Sequence, residues 1–486
     1  MKGSLWLETA PQSPTFAPLD TDVTADVCVV GAGIVGVTAA LLLQEAGARV
    51  VLIDAGRVGH GVTGHTTGKV SSQHGAIYAQ LQSKHGARAA QLYGAANEAA
   101  LDWIEARGVD CDFRRRPSYV YGSREEMERE AAAATAAGLP ASLVDDAPLP
   151  FAVEAAVRFD GQAEFHAVKY LLGLSEALSP VYEHTHAIQV GDVVRTPRGA
   201  ITAEHTIVAT HYPFPDRSLA FARAHPQRSY AIACRIAGPP PEAMFLSADS
   251  PTRSIRAVPV DGEELLLIGG EGHRPGTGGD TEARYAALET FAREHWDVRS
   301  VEYRWSAQDP VTVDSLPLVG PMTPFENRVL MATGFGKWGL TGGTAAALLL
   351  ADLVLGRANP YADLFNPNRL NLRASATALV KENAPVAVHL VGDRLRHRGR
   401  RALDDLQPGE GDIVRHRGGT VAGYRDEHGT LFAVSPMCSH MGCQVNWNRA
   451  ERSWDCPCHG SRFAPDGTVL EGPATHRLEL KPPGGA

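Results

Sequence analysis

Four potential metal ligands near the C-terminus constrain the fold more than any other feature of this chain. Cys438 and His440 lie on one short stretch, and Cys456 and His459 lie on a second one. Two thiolates and two imidazoles are the ligand set of a [2Fe–2S] cluster in which cysteines bind one iron and histidines bind the other. A zinc site is the alternative, but zinc sites favour paired C-x-x-C and H-x(3–5)-H spacings. The observed order therefore predicts an iron–sulfur cluster.

The same stretch resembles the Rieske domain of the respiratory cytochrome bc type. The resemblance implies a disulfide between Cys443 and Cys458, which ties the two cluster loops together, and a hydrogen bond from Ser461 to a cluster sulfur. Phe463 stands where high-potential members have tyrosine. Because one hydrogen-bond donor to the cluster is then missing, we expect a lower reduction potential than in the respiratory proteins. The tripeptide 472–474 (Gly-Pro-Ala) is similar to the proline loop that shields the cluster.

A second motif lies close to the N-terminus. The apolar run 25–30 leads into the glycine-rich turn 31–36 (GAGIVG), and a second apolar run, 48–53, ends in Asp54. Strand, glycine turn, helix, strand and acid follow one another in the order that a dinucleotide site requires. The glycines allow pyrophosphate to approach the helix N-terminus, and Asp54 is placed to accept a hydrogen bond from a ribose hydroxyl.

Residues 22–372 resemble the D-amino-acid oxidase/glycine oxidase superfamily of FAD-dependent oxidoreductases. The resemblance rests on segments 61–69, 181–211 and 314–341, which follow the glycine turn in the family order. It implies that a helix from about 339 to 355 directs its N-terminal dipole at the flavin. The residues that the two observations together assign to FAD are Gly31, Gly33, Ile34, Gly36, Asp54, Ala55, His65, Thr66, Thr67, Ala187, Gly334, Phe335, Gly336, Gly339, Leu340 and Thr341.

His65 leaves two interpretations open. The spacing of Gly61, Thr63 and His65 matches dimethylglycine-dehydrogenase-like relatives, in which such a histidine is bonded to the flavin C8 methyl group. Otherwise His65 is a hydrogen-bonding residue near the phosphates.

Catalytic residues are harder to assign, because in flavin-dependent amine oxidation the cofactor carries most of the chemistry. Gln73 and His74 directly follow the segment that resembles the FAD contact, and Lys337 lies in the closing motif. We take these three as the catalytic candidates. Other residues that could line the pocket are Tyr78, Tyr230, His273, Trp305 and Trp338.

The predicted fold class is α/β, with a Rossmann-type FAD-binding domain, an interleaved α+β substrate domain and a C-terminal all-β Rieske domain. The predicted divisions are an N-terminal extension (1–24), the FAD-binding domain (25–75, 150–215 and 312–372), the substrate domain (76–149 and 216–311), a linker (373–383) and the Rieske domain (384–486).

Composition narrows the function classes. The 486-residue chain has a formal net charge of −9 and no lysine- or arginine-rich stripe, which argues against nucleic-acid binding. No apolar run approaches the roughly 18 residues of a spanning helix. The N-terminus also lacks the basic and apolar regions of a signal peptide. We therefore expect a cytoplasmic protein without a membrane span.

A flavin next to a Rieske cluster predicts a dehydrogenase, because flavin takes two electrons as hydride and the cluster takes them one at a time. The flavin half implies a small amine or amino-acid-like substrate by fold-level analogy. The cluster implies a redox partner or other electron acceptor. Two alternatives remain: a non-catalytic redox sensor and a flavin/Rieske electron-transfer component of a multi-protein system.

Overall fold

The structure, a computed structural model, describes residues 2–12, 14–215, 220–277, 279–369 and 401–481. Short 3₁₀ segments span Val62–His65 and Leu403–Asp405. The α-helices are α1 Leu5–Glu8, α2 Ile34–Glu45, α3 Tyr78–His85, α4 Ala87–Ala106, α5 Arg124–Ala136, α6 Ala167–Ser175, α7 Ala220–Arg223, α8 Glu282–His295, α9 Gly339–Val354 and α10 Ala362–Phe365. None of these described helices has the length and apolar composition needed to cross a membrane.

The strands form two large sheets and three small ones. They are β1 Val23–Val30, β2 Val50–Ile53, β3 Lys69–Val70, β4 Arg114–Arg115, β5 Ser118–Gly122, β6 Ala141–Val144, β7 Ala155–Phe159, β8 Ala163–Glu164, β9 Val181–Tyr182, β10 Val193–Arg195, β11 Ala200–Val208, β12 Ala224–Ile236, β13 Met244–Ser247, β14 Arg253–Val260, β15 Glu263–His273, β16 Val298–Thr312, β17 Leu318–Thr323, β18 Glu326–Thr333, β19 Gly411–His416, β20 Gly419–Arg425, β21 Leu431–Val434, β22 Asn446–Asn448, β23 Ser453–Asp455, β24 Arg462–Phe463 and β25 Val469–Glu471.

The first large sheet has the order β17-β18-β11-β1-β2-β9, with β10 added to β11. Strands β18, β11, β1, β2 and β9 are parallel, and β17 and β10 are antiparallel. Strand β2 is apolar and buried at every position, as expected for a parallel strand covered on both faces. On one face, Gly343 of α9 lies so close to Ile34 of α2 that a Cβ atom would come within 2.8 Å of its Cγ2. Strand β1, the glycine turn, α2 and β2 together form the predicted strand–turn–helix–strand unit.

The second large sheet has the order β16-β12-β15-β14-β13-β5-β7-β6. Its pairs are antiparallel except for β13 with β5. The alternating runs 254–259, 264–268 and 300–305 lie in β14, β15 and β16, so the predicted antiparallel sheet is present. One segment differs from the predicted division: β7 falls within 150–215, which we assigned to the FAD-binding domain, but it pairs with β5 and β6 in the second sheet.

The C-terminal part contains only short strands, in two antiparallel sheets, β19-β20-β21 and β22-β23-β24-β25. Their apolar core includes Trp454 and Phe463, both fully buried. The predicted linker 373–383, and the first residues of the predicted Rieske domain up to 400, lie outside the described residues.

Candidate functional site

The glycine-rich turn after β1 brings three chain segments unusually close together. Gly31 has a φ of +107°, and a Cβ atom there would lie 2.5 Å from the carbonyl oxygen of Ala209. A Cβ atom on Gly36 would lie 1.7 Å from the carbonyl oxygen of Gly31. Both positions therefore require glycine, and α2 begins with its N-terminus facing the crevice beyond β1, where backbone N–H groups favour an anion.

Asp54 closes the other side of this crevice. Its Oδ2 accepts a hydrogen bond from the backbone N–H of Ala32 at 2.6 Å, and its Oδ1 accepts one from Gly56 at 2.7 Å. Burial raises the pKa of this carboxyl group, and the two backbone donors oppose that effect. Because each carboxylate oxygen has a second lone pair, Asp54 can still accept from a ribose hydroxyl.

A cavity of about 850 Å³ runs from this crevice along the second sheet to the C-terminal part of the chain. This volume is near the upper end of the roughly 300–1,000 Å³ that is typical of small-molecule and cofactor sites. The predicted FAD and catalytic residues that line it are Gly31, Gly33, Ile34, Asp54, Ala55, His65, Thr66, Thr67, Ala187, Phe335, Lys337, Gly339 and Leu340.

The remaining predicted residues lie outside this cavity. Gly36 is buried behind the turn, and Gly334 and Gly336 line a smaller neighbouring cavity together with His74. Thr341 donates to the carbonyl oxygen of Ser71 at 2.8 Å, inside the core. These residues support the walls of the large cavity without lining it.

The structure also places Gln73 and His74 away from the large cavity. The Gln73 side chain donates to the carbonyl oxygen of Val157 at 2.7 Å. The His74 ring stacks on Trp338 and lies 2.6 Å from the hydroxyl of Tyr93 through Nδ1. Burial lowers the pKa of His74 to about 3, so the ring is neutral. Their environment is that of structural residues, whereas Lys337 alone of the three catalytic candidates lines the large cavity.

His65 lies on the 3₁₀ segment at the cavity wall. Its Nδ1 is 2.9 Å from the carbonyl oxygen of Gly61, and its own carbonyl oxygen accepts from Trp305 Nε1 at 2.9 Å. Because a carbonyl oxygen only accepts hydrogen bonds, Nδ1 carries the proton in this pair.

The far end of the cavity is polar. Lining residues there include Gln227 on β12, Asp309 on β16, Lys337 before α9 and Glu471 on β25, with His211 after β11. Of these, only Lys337 was predicted from the sequence. The others carry no local motif, and they meet because four separate elements converge.

The two cluster loops bring the predicted iron ligands together. The rings of His440 and His459 have centroids 5.1 Å apart, and Nδ1 of His459 is buried without a hydrogen-bond partner among the described residues. A hydrogen bond with Cys456 lowers the pKa of Cys438 to about 7, which favours a thiolate. An orphaned imidazole nitrogen beside two thiols fits the donor set of a [2Fe–2S] cluster.

Cys443 and Cys458 form the predicted disulfide between the loops, with Cα atoms 6.5 Å apart. Their sulfurs lie within 4.8 Å of that of Cys456, but a disulfide sulfur is not a thiolate ligand. The predicted cysteine ligands, Cys438 and Cys456, are both unbridged and buried, as a thiolate ligand requires. Ser461 hydrogen-bonds the Cys438 sulfur through its hydroxyl group, which also accepts from the backbone N–H of Ala474 at 3.0 Å.

The cluster loops contact the second large sheet directly. Arg274 Nε donates to the carbonyl oxygen of Pro457 at 3.0 Å, and Gln308 Nε2 donates to that of Gly460 at 2.7 Å. From α7, the ring of Phe221 packs edge-on against His459, with centroids 5.2 Å apart.

A buried ionic network joins the same two parts of the chain. Arg228 on β12 is 1% exposed and lies 3.3 Å from Glu451. Arg462 pairs with Asp455 at 3.1 Å and with Glu471 at 3.0 Å. Removing one member of such a buried network leaves an uncompensated charge, so these contacts fix how the C-terminal part sits on the sheet.

Comparison with known families agrees with both halves of the site. The family described as FAD dependent oxidoreductase matches residues 26–353, and the Rieske [2Fe-2S] domain matches residues 401–482. The chain is 38% identical to YhfW of Bacillus subtilis (strain 168), which is named as a Rieske 2Fe-2S iron-sulfur protein. The alignment covers 97% of this chain and 96% of that relative.

Other similarities cover the flavin half. The chain is 24% identical to the gamma-glutamylputrescine oxidoreductase of Escherichia coli (strain K12), over 76% of this chain and 95% of that protein. The fold resembles the crystal structure of glycine oxidase from Geobacillus kaustophilus, with a TM-score of 0.57 and 21% identity over 72% of this chain and 99% of that one.

Proposed function

Because the chain belongs to the FAD-dependent oxidoreductase family and carries a C-terminal Rieske [2Fe-2S] domain, we propose that it is a dehydrogenase for a small amine or amino-acid-like substrate. In this proposal the electrons leave the flavin one at a time through the Rieske cluster to an external acceptor. One observation carries the proposal: residues 469–472, 474 and 475 of the Rieske domain line the same cavity as the dinucleotide crevice. The dinucleotide crevice and the Rieske domain thus border one continuous cavity.

FAD, when bound, supplies the hydride acceptor for the oxidation of a C–H bond next to nitrogen. The chain's own residues bind and orient it. The N-termini of α2 and α9 face the cavity, where their partial positive charge favours pyrophosphate and the reduced ring respectively. The second sheet and residues 469–472, 474 and 475 line the remaining space.

The amine class is supported by the polar end of the cavity and by the relatives. Asp309 lines this end of the cavity together with Lys337 and Glu471. Because Glu471 is paired with Arg462, Asp309 is the carboxylate left to bind a cationic nitrogen of the substrate. Gamma-glutamylputrescine oxidoreductase and glycine oxidase are named for nitrogen-containing substrates. Extending that substrate class to this chain is part of the proposal.

Anaerobic titration of the purified holoprotein with a panel of amines and amino acids tests it, with flavin and cluster absorbance followed together. We expect one substrate class to bleach the flavin first and then to produce the spectrum of the reduced cluster. The matched control is His459→Ala, in which flavin bleaching should persist while transfer to an external one-electron acceptor is lost. If only NAD(P)H or an external reductase reduces the protein, electrons enter from elsewhere and the proposal is wrong.

A further inference from the structure

The geometry points to Asp309 as the residue that binds the ammonium group of the substrate and takes a proton from it. This inference rests on the proposed function and deepens it, because it names a catalytic residue and favours cationic substrates over anionic ones.

Asp309 lies near the C-terminal end of β16, directly opposite Gln227 on β12. Its side chain lines the large cavity and the residue is only 8% exposed. Among the residues that the structure describes, none donates a hydrogen bond to its carboxyl group. A buried carboxylate without donors is costly, so this position calls for a cationic or hydrogen-bond-donating ligand in the cavity.

Four parts of the chain place charged groups around Asp309. Lys337 before α9, Arg228 on β12 and His211 after β11 favour its charged form, and Glu471 on β25 opposes it. Arg228 is engaged by Glu451 and Ser306. Glu471 is likewise paired with Arg462. Asp309 and Lys337 therefore remain as the carboxylate and the cation that face the cavity.

Burial raises the pKa of Asp309 and lowers that of Lys337, and burial is the largest cause in both cases. A carboxyl group with a raised pKa is a stronger proton acceptor than an ordinary aspartate. A lysine with a lowered pKa is less often charged, so it competes less with a substrate ammonium group for the Asp309 carboxylate. Both shifts agree with a role for Asp309 as a base.

The proposed step is a proton transfer without redox change. An N–H bond of the substrate ammonium breaks, an O–H bond forms on Asp309, and nitrogen keeps the electron pair. Substrate charge falls from +1 to 0 while Asp309 goes from −1 to 0. The step is needed because only the neutral amine has the lone pair that forms the C=N bond when the neighbouring C–H bond is oxidised.

The test uses tert-butylamine, which has no α-hydrogen and therefore binds without being oxidised. Its binding to the holoenzyme is followed by perturbation of the flavin spectrum, with pivalate and tert-butanol as anionic and neutral probes of the same shape. We expect tert-butylamine to bind best, and Asp309→Asn to weaken it at least 10-fold without changing tert-butanol binding. In turnover, the acid limb of the kcat/KM profile should move to higher pH in Asp309→Asn, because without this base only substrate that arrives as the neutral amine can be oxidised.

Asp261→Asn is the matched control, because Asp261 is exposed in the β14–β15 turn of the same sheet. If Asp309→Asn loses FAD, Lys337→Met tests the role of Asp309 instead. Removing the competing cation is expected to raise tert-butylamine affinity several-fold. A loss of affinity would overturn the assignment. Equal tert-butylamine binding by wild type and Asp309→Asn, with amines still bleaching the flavin, overturns the role of Asp309 and leaves the proposed function intact. If no amine binds or bleaches the flavin, the role of Asp309 and the proposed function both fail.

Discussion

Gln308 donates a hydrogen bond from Nε2 to the carbonyl oxygen of Gly460, 2.7 Å away, and Gly460 directly follows His459, a predicted cluster ligand. Gln308 also precedes Asp309 on β16, so one strand both lines the large cavity and holds a cluster loop. Gly460 has a φ of +77°, and a Cβ atom there would lie 2.5 Å from Gln308 Nε2 and 2.6 Å from Pro226 Cβ. The backbone of the loop therefore packs directly against side chains of β16 and β12.

Gly460→Ala should therefore displace the cluster loop from β16. We expect a lower iron content per protein and altered electron paramagnetic resonance of the reduced cluster, while substrate still bleaches the flavin. Gly429→Ala is the control, because Gly429 has a φ of +89° but no atom within 4 Å of its added Cβ. It carries the same backbone strain without the contact. Equal iron content and spectra in the two variants would contradict a role for this contact.

Removing the disulfide should make the cluster more labile than the rest of the protein. Cys443 and Cys458 are 15 residues apart in sequence, and closing a loop of that length stabilises by about 3 kcal/mol in the chain-entropy treatment. In the double variant Cys443→Ala/Cys458→Ala we expect cluster absorbance to bleach at a lower temperature than in wild type, ahead of flavin release. Cys111→Ala, at an unbridged buried cysteine, should leave the bleaching temperature of the cluster unchanged. Unchanged bleaching in the double variant would show that the loops hold together without the bridge.

Local motifs made the cofactor sites predictable. The turn 31–36 and the ligands Cys438 and His459 are tied to chemistry by short spacings, so the sequence alone was sufficient to propose them. The disulfide followed from the resemblance to a known domain, and the structure confirms it.

The polar end of the cavity could not be predicted in the same way. Asp309 and Gln227 meet only through the register of β16 against β12, which is set by pairing over the whole strand. Proximity in sequence to the FAD segment suggested His74 as a catalytic residue. After Ser71, however, the chain turns into the core, where Tyr93 and Trp338 from distant segments enclose the ring.

His166 should make the flavin half sensitive to acid. Burial lowers its pKa to about 4, whereas an unfolded histidine titrates near its ordinary value of about 6.5. Between these values the unfolded chain binds more protons, so the free energy of unfolding falls as pH drops from about 6.5 towards 4. His166 also caps α6 by accepting from the backbone N–H of Lys169 at 3.2 Å.

Asparagine keeps the capping ability but does not titrate. We therefore expect His166→Asn to lose less stability than wild type between pH 7 and pH 5, by roughly 1–2 kcal/mol, in thermal unfolding followed by circular dichroism. His428→Asn, in an exposed turn of the Rieske domain, should follow wild type. A pH dependence in His166→Asn identical to that of wild type would show that other groups cause the acid sensitivity.

Trp6 connects the N-terminal helix to the loop that lines the cavity. It is 1% exposed, its Nε1 donates to the carbonyl oxygen of Thr66 at 2.6 Å, and a Cβ atom on Gly68 would lie 3.0 Å from its ring. Trp6→Ala should destabilise the flavin half by about 3–5 kcal/mol. Because Thr66 and Thr67 line the cavity, we also expect faster FAD release, measured by the rise in flavin fluorescence after dilution.

Trp6→Phe separates packing from hydrogen bonding at this position. It keeps most of the buried area and loses one N–H donor, which is worth about 1 kcal/mol, so FAD release should stay close to the wild-type rate. Trp103→Ala is a second control: Trp103 is half-buried on α4, away from the segment 61–68. One outcome is that Trp6→Ala unfolds at a lower temperature than wild type yet releases FAD no faster than Trp103→Ala. In that case the N-terminal helix would stabilise the fold without helping to retain FAD. Faster release in Trp6→Ala only would make it part of the structure that retains the cofactor.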